Sequence, residues 1–361
     1  MSVTTHNRIG VGIVGLSADG GWAARSHVPA LRASDRFELV GVAASTPERT
    51  RAAAEKYSLP VAATSAAELA ADDRVDTVVV AVKVPAHEQL IDQILPTGKP
   101  VLCEWPLAPN SQTATELADR ADAAKVCTAV GLQALHVPQV QHMKSLIADG
   151  FIGRPTSSIL IGEAGGWAAT VISTTAYTLD RRNGATMAAI PLGHTLAAVV
   201  DVLGDLDDLQ VATSIDIPQV RETDTGRTVH KSTPDQIAFT ARTHSDVLVS
   251  AHYRGGRSGG TGLLWEIRGT EGVLQLTGEI GHLQFGAVTL SGSRGTAAPE
   301  IIPTPTAAQD IDALAGTPAA IVAREYDAWA ATLDGAARPA TLPDFRRAAE
   351  HQLLIDQISD H

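Results

Sequence analysis

The chain has 361 residues, 44% hydrophobic and 19% charged, enough to bury a sizeable core and to form two domains of ordinary size. A formal net charge of −12 at pH 7, with no clustered run of Lys and Arg, excludes a nucleic-acid backbone as partner. The segment from Met1 to Asn7 is short and polar and no window approaches about 18 uninterrupted apolar residues, so the expectation is a cytoplasmic chain with neither signal peptide nor membrane partner.

The first third alternates short β-rich runs with Ala-rich helical stretches, which predicts an α/β architecture with a parallel sheet covered on both faces. Strands are predicted over 9–15, 38–44, 77–82, 101–104 and 128–132, and helices over 49–57, 66–71, 87–95 and 112–124. Cys103 and Cys127 fall in apolar strand-like runs and read as small buried hydrophobes, not as a disulfide or metal pair. From about residue 156 the runs lengthen and alternate, over 236–242, 247–253, 263–268 and 273–276, with hairpin turns at 243–246 and 269–272. These predict a C-terminal α+β domain with a large open, mainly antiparallel sheet. One face of that sheet is expected on the substrate side and the other against a second subunit, giving a homo-oligomer, dimer or tetramer. Residues 291–318, rich in Ser, Gly, Thr, Ala and Pro, read as an exposed connection. Helices are predicted over 319–333 and 344–358, the second packing back on the first domain. The domains are then 1–132, for dinucleotide binding, and 133–343, for substrate and oligomerisation.

A glycine loop sits where a Rossmann fold needs one. Gly15, Gly20 and Gly21 follow the first strand and precede a helical run, with Ser17 at the middle glycine position and Trp22-Ala23 next. Glycine there permits a tight turn and close approach of a pyrophosphate to backbone N–H groups. The second strand leads into Ser45-Thr46 with Arg49 nearby, where a carboxylate would select an unphosphorylated ribose. Hydroxyls and a guanidinium can hold a 2′-phosphate instead, so the reading leans to NADP, with NAD or dual use open.

These residues, with His27-Val28-Pro29, Gly98-Lys99-Pro100 through Glu104-Trp105-Pro106, and 146–155, resemble the glucose-fructose oxidoreductase and inositol dehydrogenase (Gfo/Idh/MocA) family along nearly the whole chain. Gly21-Trp22-Ala23, Glu104-Trp105, Gly165-Gly166-Trp167, Gly193-His194-Thr195 and Pro234-Asp235 are most similar to the branch containing the yeast galactose-pathway transcriptional inhibitor. The resemblance implies a Rossmann domain, a nicotinamide dinucleotide and a carbohydrate-like substrate. It also implies cofactor contacts at Ala81, Val82, His87, Glu104, Trp105 and Pro106.

The sequence departs from the family at two chemical positions. The usual lysine of Glu-Lys-Pro is replaced by Trp105, which has one N–H and no titratable charge but can stack on a ring or sugar face. His194 fits the family's proton-handling histidine, while Ile190 stands where its partner carboxylate is expected. Tyr177, Asp180, Arg181 and Asn183 form a polar stretch just ahead of His194, and Lys83 lies beyond the fourth strand. Catalytic candidates are therefore His194, Tyr177, Asp180 and Lys83, and substrate-binding candidates are Trp105, Trp167, Arg181 and Asn183. Each also has a plainer structural reading: a packed helix residue, a solvated loop, a surface lysine. No metal site is expected. Three functions follow: an oxidoreductase of a sugar, polyol or keto-sugar; an inactive dinucleotide-binding regulator; or a reductase of an imine or conjugated substrate.

Overall fold

The computed structural model describes residues 8–305 and 312–359. The first seven residues, where no leader was expected, and part of the 291–318 connection lie outside the described residues. In chain order the elements begin with β1 (Ile9–Val14), α1 (Trp22–Arg25), α2 (His27–Ala33), β2 (Phe37–Ala43), α3 (Pro47–Tyr57), β3 (Val61–Ala63) and α4 (Ala66–Ala71). Then come β4 (Thr77–Val80), α5 (His87–Ile94), β5 (Val101–Glu104), α6 (Ser111–Ala124), β6 (Thr128–Gly131) and α7 (Pro138–Ala148). Next are β7 (Pro155–Ala164), β8 (Thr170–Val171), α8 (Gly193–Leu203), β9 (Leu206–Ser214), β10 (Gln219–Glu222) and β11 (Thr228–His230). The chain continues through β12 (Gln236–Thr243), β13 (Leu248–Gly255), β14 (Leu263–Gly269), β15 (Gly272–Gly278), β16 (Val288–Arg294) and β17 (Glu300–Ile301), and ends in α9 (Pro318–Leu333) and α10 (Phe345–Ser359).

Two compact units result, one of residues up to 132 with 309–350, the other of 133–308 with 351–361. The first is a parallel sheet in the order β3-β2-β1-β4-β5-β6. Its central strands bury Val11, Ile13, Val78, Val79, Val80 and Leu102 completely, as a sheet covered on both faces requires. The strand order reverses between β1 and β4, so their carboxyl ends open the crevice where such folds bind ligands. The sequence reading left 319–333 with the second domain, but α9 belongs to this unit. Val322, Tyr326 and Trp329 join Val28 and Leu31 of α2 in one core, and Trp329 Nε1 donates to Thr77 Oγ1 at 3.3 Å. An amphipathic period reveals a stripe to be buried, not the sheet it will cover. The start of α10 also lies here: the Phe345 N–H donates to Thr128 Oγ1 at 3.2 Å, and Arg346 pairs with Asp119 and Asp122.

The second unit is built on an eight-stranded sheet, β17-β16-β15-β14-β7-β13-β12-β9. Six of its seven neighbouring pairs are antiparallel and one, β7 with β13, is parallel. Burial alternates along the strands: Val249, Ala251 and Tyr253 of β13 point into the core, while Leu248 and His252 stay exposed. A small sheet, β11-β10-β8, stands apart in the same unit. Part of 291–318 is sheet and not irregular connection, because β16 pairs along all of β15 and β17 adds to its edge. Ser and Gly there mask a strand whose one large inward residue is Leu290. The helical stretch Arg181–Leu203 is long and apolar enough to cross a bilayer by composition, yet 78% of its most apolar window is buried inside the protein, as in a core helix.

Candidate functional site

At the carboxyl end of β1 the chain turns at Gly15, with φ 101°. A Cβ there would lie 2.4 Å from the Ala81 carbonyl oxygen, so only glycine lets the ends of β1 and β4 approach. Gly20 and Gly21 also have positive φ, and a Cβ on either would meet nothing within 4 Å. The first glycine serves packing within the protein, and the other two leave backbone open on the outside, the cradle a pyrophosphate needs. Between them the loop closes on itself: Ser17 and Gly20 form an antiparallel bridge, and the Asp19 N–H donates to Ser17 Oγ at 3.1 Å. Trp22 and Ala23 open α1, with Ala23 buried.

Beyond β2, Thr46 caps α3, its hydroxyl accepting from the Arg49 N–H at 3.3 Å. Arg49 Nη1 donates to Ser45 Oγ at 3.3 Å, and all three side chains are exposed. The predicted ribose contacts are thus brought together as a hydroxyl and guanidinium pair with no carboxylate at Ser45 or Thr46.

The ends of β4 and β5 are fastened by imidazoles. His87 is buried, with Nε2 3.2 Å from the Val82 carbonyl and Nδ1 3.3 Å from Cys103 Sγ. Burial lowers the His87 pKa and raises that of the thiol, so both are neutral. Both ring nitrogens face a carbonyl, Nε2 that of Val82 and Nδ1 that of Leu107, each at 3.2 Å, so whichever nitrogen carries the proton donates it to backbone, while the thiol donates to the Glu104 carbonyl at 3.4 Å. His87 is therefore a brace for the Ala81-Val82 segment. Lys83 is exposed just beyond it, ahead of a 3-10 turn. Glu104 ends β5, its carboxylate 2.9 Å from His27 Nε2, while His27 Nδ1 lies within hydrogen-bond distance of Tyr326 Oη at 2.8 Å. The Trp105-Pro106 peptide is cis, and Trp105 is 5% exposed, a wall more than an open stacking platform. The sequence reading named Glu104 but gave no role to His27 or Tyr326. A polar residue starting an otherwise apolar helix, His27-Val28-Pro29-Ala30-Leu31, was the available signal.

In the second unit, His194 sits in the first turn of α8, 3% exposed, with Nδ1 buried and without a hydrogen-bond partner. Ile190, where the sequence reading expected a partner carboxylate, lies four residues earlier in a π-helical turn and has no polar group to offer. Burial holds the His194 pKa at about 3, and His282 and His351 add to the depression. His282 is held at about 4, also by burial, and stacks on Phe285 at 5.1 Å. The neighbouring Thr195 hydroxyl accepts from Tyr253 Oη at 2.8 Å, tying α8 to the sheet. That ring lies over β7 where Gly162 has no side chain: a Cβ there would come within 2.3 Å of it.

The polar stretch ahead of α8 is organised among its own members. Asn183 Nδ2 donates to the Tyr177 carbonyl at 2.7 Å, and Asp180 pairs with Arg182, whose hydrogen bonds lower the carboxyl pKa. The Arg181 N–H donates to Ser232 Oγ at 3.0 Å, and burial raises the Tyr177 pKa. His194 Nδ1 makes no hydrogen bond with any of them. Trp167 is buried, with Nε1 donating to the Thr178 carbonyl at 3.1 Å. Its own carbonyl accepts from Lys231 Nζ at 2.8 Å, and the same ammonium bonds Asp235 Oδ2 at 2.5 Å. Lys231 has no exposed surface. Burial works to raise the Asp235 pKa, but bonds from Lys231 and from the Asp216 and Ile217 N–H groups outweigh it and the carboxyl is held low. This anchor escaped the sequence reading, although a lysine four residues before Asp235 hinted at it. Among the described residues no set of three or more His, Cys, Asp or Glu groups as a metal site.

Residues 9–132 match the oxidoreductase family with an NAD-binding Rossmann fold, Gfo/Idh/MocA, and residues 138–278 match the Gal80p C-terminal domain. The dehydrogenase aclE of Aspergillus oryzae is 34% identical over 218 residues, 59% of this chain and 59% of that protein. The galactose/lactose metabolism regulatory protein GAL80 of Saccharomyces cerevisiae is 28% identical over 313 residues, 79% of this chain and 71% of its own. The crystal structure of a super-repressor mutant of the same yeast Gal80p superposes with a TM-score of 0.86 at 23% identity, covering 98% of this chain and 95% of that one. Levoglucosan dehydrogenase in complex with NADH and L-sorbose superposes with a TM-score of 0.79 at 18% identity, covering 97% and 96%.

Proposed function

We propose that the chain, whose residues 9–132 match the Gfo/Idh/MocA Rossmann family and whose residues 138–278 match the Gal80p C-terminal domain, is an NAD(P)-dependent oxidoreductase of a sugar, polyol or keto-sugar. The observation that carries the reading is the glycine cradle, closed on the protein side at Gly15 and open at Gly20 and Gly21. In this reading Gly20 and Gly21 receive the pyrophosphate, with Ser17, Trp22 and Ala23 framing the loop. Ser45, Thr46 and Arg49 hold the adenosine ribose, and Arg49 favours the 2′-phosphate of NADP. Ala81, Val82, His87, Glu104, Trp105 and Pro106 line the nicotinamide side. When bound, the dinucleotide supplies the hydride donor or acceptor.

The protons fall to this chain. His194 is neutral at pH 7 because its pKa is held at about 3, so it offers an unprotonated ring nitrogen to an alcohol, though the burial that keeps it neutral also weakens it as a base. Tyr177 donates or orients at a carbonyl. Asp180 stays ionised beside Arg182 and acts by orientation. Trp105, Trp167, Arg181 and Asn183 bind the substrate, and Lys83 is the remaining cationic candidate. The open face of the eight-stranded sheet, with Ile159 41% and Leu248 46% exposed, is proposed as the contact of a dimer or tetramer.

The test is to titrate NAD(H) and NADP(H) onto the purified protein and follow nicotinamide absorbance over a panel including inositol, levoglucosan and L-sorbose. Turnover supports the enzyme. The partnerless His194 Nδ1 and the wall at Trp105 favour a second reading, a dinucleotide-binding regulator with a protein partner, as the likeness to GAL80 also suggests. That reading expects saturable binding with no turnover on any panel member.

A further inference from the structure

The glycine loop is held from an unexpected side. Two consecutive carbonyls, Ser17 O and Ala18 O, accept hydrogen bonds from the last two residues of α3: Tyr57 Oη reaches Ser17 O at 3.1 Å, and Lys56 Nζ reaches Ala18 O. The tyrosine is itself held, with the Lys56 ammonium 5.4 Å and the Arg32 guanidinium 5.8 Å from its ring centroid. Lys56 is exposed, and Tyr57 is half-buried with its ring packed against the core of the first unit, a contact that Tyr57→Phe keeps while removing only the hydroxyl.

The arrangement fixes which way two peptides point. In a trans peptide the N–H is opposite the C=O. With Ser17 O turned onto Tyr57, the Ala18 N–H is turned away from α3; with Ala18 O turned onto Lys56, the Asp19 N–H is likewise turned away and meets Ser17 Oγ. A flip of either peptide would reverse this and present a carbonyl oxygen where the loop is open at Gly20 and Gly21. An oxygen there repels a phosphate, whereas an N–H attracts it. Asp19, exposed in the same loop, already adds a negative charge, which makes the orientation of the remaining dipoles more consequential.

We infer that Tyr57 and Lys56 are positioning residues for the dinucleotide, locking the Ser17–Ala18 and Ala18–Asp19 peptides in the orientation that a pyrophosphate requires. The inference rests on the dinucleotide reading above. It assigns no contact between either side chain and the ligand.

The experiment measures NADH and ADP-ribose binding by calorimetry to the full-length wild type and to Tyr57→Phe, Lys56→Met and Lys56→Arg, with melting temperatures and amide exchange of the loop in the free protein. Tyr57→Phe and Lys56→Met are expected to weaken both ligands by roughly fivefold, the worth of one such hydrogen bond. Lys56→Arg keeps a donor and is expected to bind as wild type. Exchange at residues 16–21 is expected to quicken in Tyr57→Phe while the melting temperature holds. Unchanged affinities in Tyr57→Phe and Lys56→Met overturn the inference while leaving dinucleotide binding intact. So does a loss of affinity that Lys56→Arg shares, since that residue retains the donor. A wild type that binds neither NADH nor ADP-ribose overturns the dinucleotide reading and the inference with it.

Discussion

Acidification should loosen the second unit through its buried histidines, and the size of the effect can be worked out. His194 is held at about 3 and His282 at about 4, both below the ordinary 6.5. The unfolded chain therefore binds more protons than the folded one as pH falls below 6.5, so stability is fully present above that value and is lost on the way down to the folded values. At about 1.4 kcal/mol per pH unit, each histidine removes about 2 kcal/mol between pH 7 and pH 5, and the two together about 4. Against a stability of about 5–15 kcal/mol that is a large share. The assay is urea unfolding at pH 7, 6 and 5 for wild type and His194→Phe, with His194→Gln as a second variant if the phenylalanine does not fit. Because the substitution also changes the starting stability, the quantity compared is the change with pH. His194→Phe should lose about 2 kcal/mol less than wild type over that interval. An identical loss in both proteins, or a His194 C2–H resonance titrating near pH 6.5, would refute the reasoning.

Three further outcomes are expected. Lys231→Met leaves Asp235 buried with only its two backbone donors and should cost about 3–5 kcal/mol in urea unfolding; a cost under about 1 kcal/mol would show that the pair is not the anchor described. Ile190→Asp should give His194 Nδ1 its missing acceptor and raise the imidazole pKa by roughly 2 pH units by histidine NMR, with kcat/KM rising if His194 is the base; no movement of the pKa would show that position 190 does not face the ring. Ser45→Asp should move the preference from NADP toward NAD by roughly tenfold in the ratio of dissociation constants, and an unchanged ratio would place the ribose elsewhere.

How much of this could be read from the sequence depended on whether the cause was local. The parallel sheet was legible because fully buried strands leave apolar runs such as 77–80. The short strand Val61–Ala63 was missed, since three small residues carry no period. The helix Pro138–Ala148 was missed too, its stripe being weak and its start unmarked by a capping side chain. Of the candidate site, the glycine loop and the Ser45–Arg49 pairing lie within a few residues of one another and were readable. The His27 link to Glu104 and Tyr326 spans 77 and 299 residues, and no spacing rule connects such positions. Lys231 was invisible for a different reason. A lysine is ordinarily exposed, and only the fold shows this one with no solvent to meet.

Gly162 has a bearing on how this protein can vary. Adding a single methyl there would displace Tyr253, whose hydroxyl holds Thr195 beside His194. A substitution on a central strand, touching no ligand and removing no polar group, would thus be felt at a ring whose surroundings set its charge. Screens that score positions by distance from the chemistry would rank residue 162 as tolerant. The tyrosine bridge makes it one of the least forgiving.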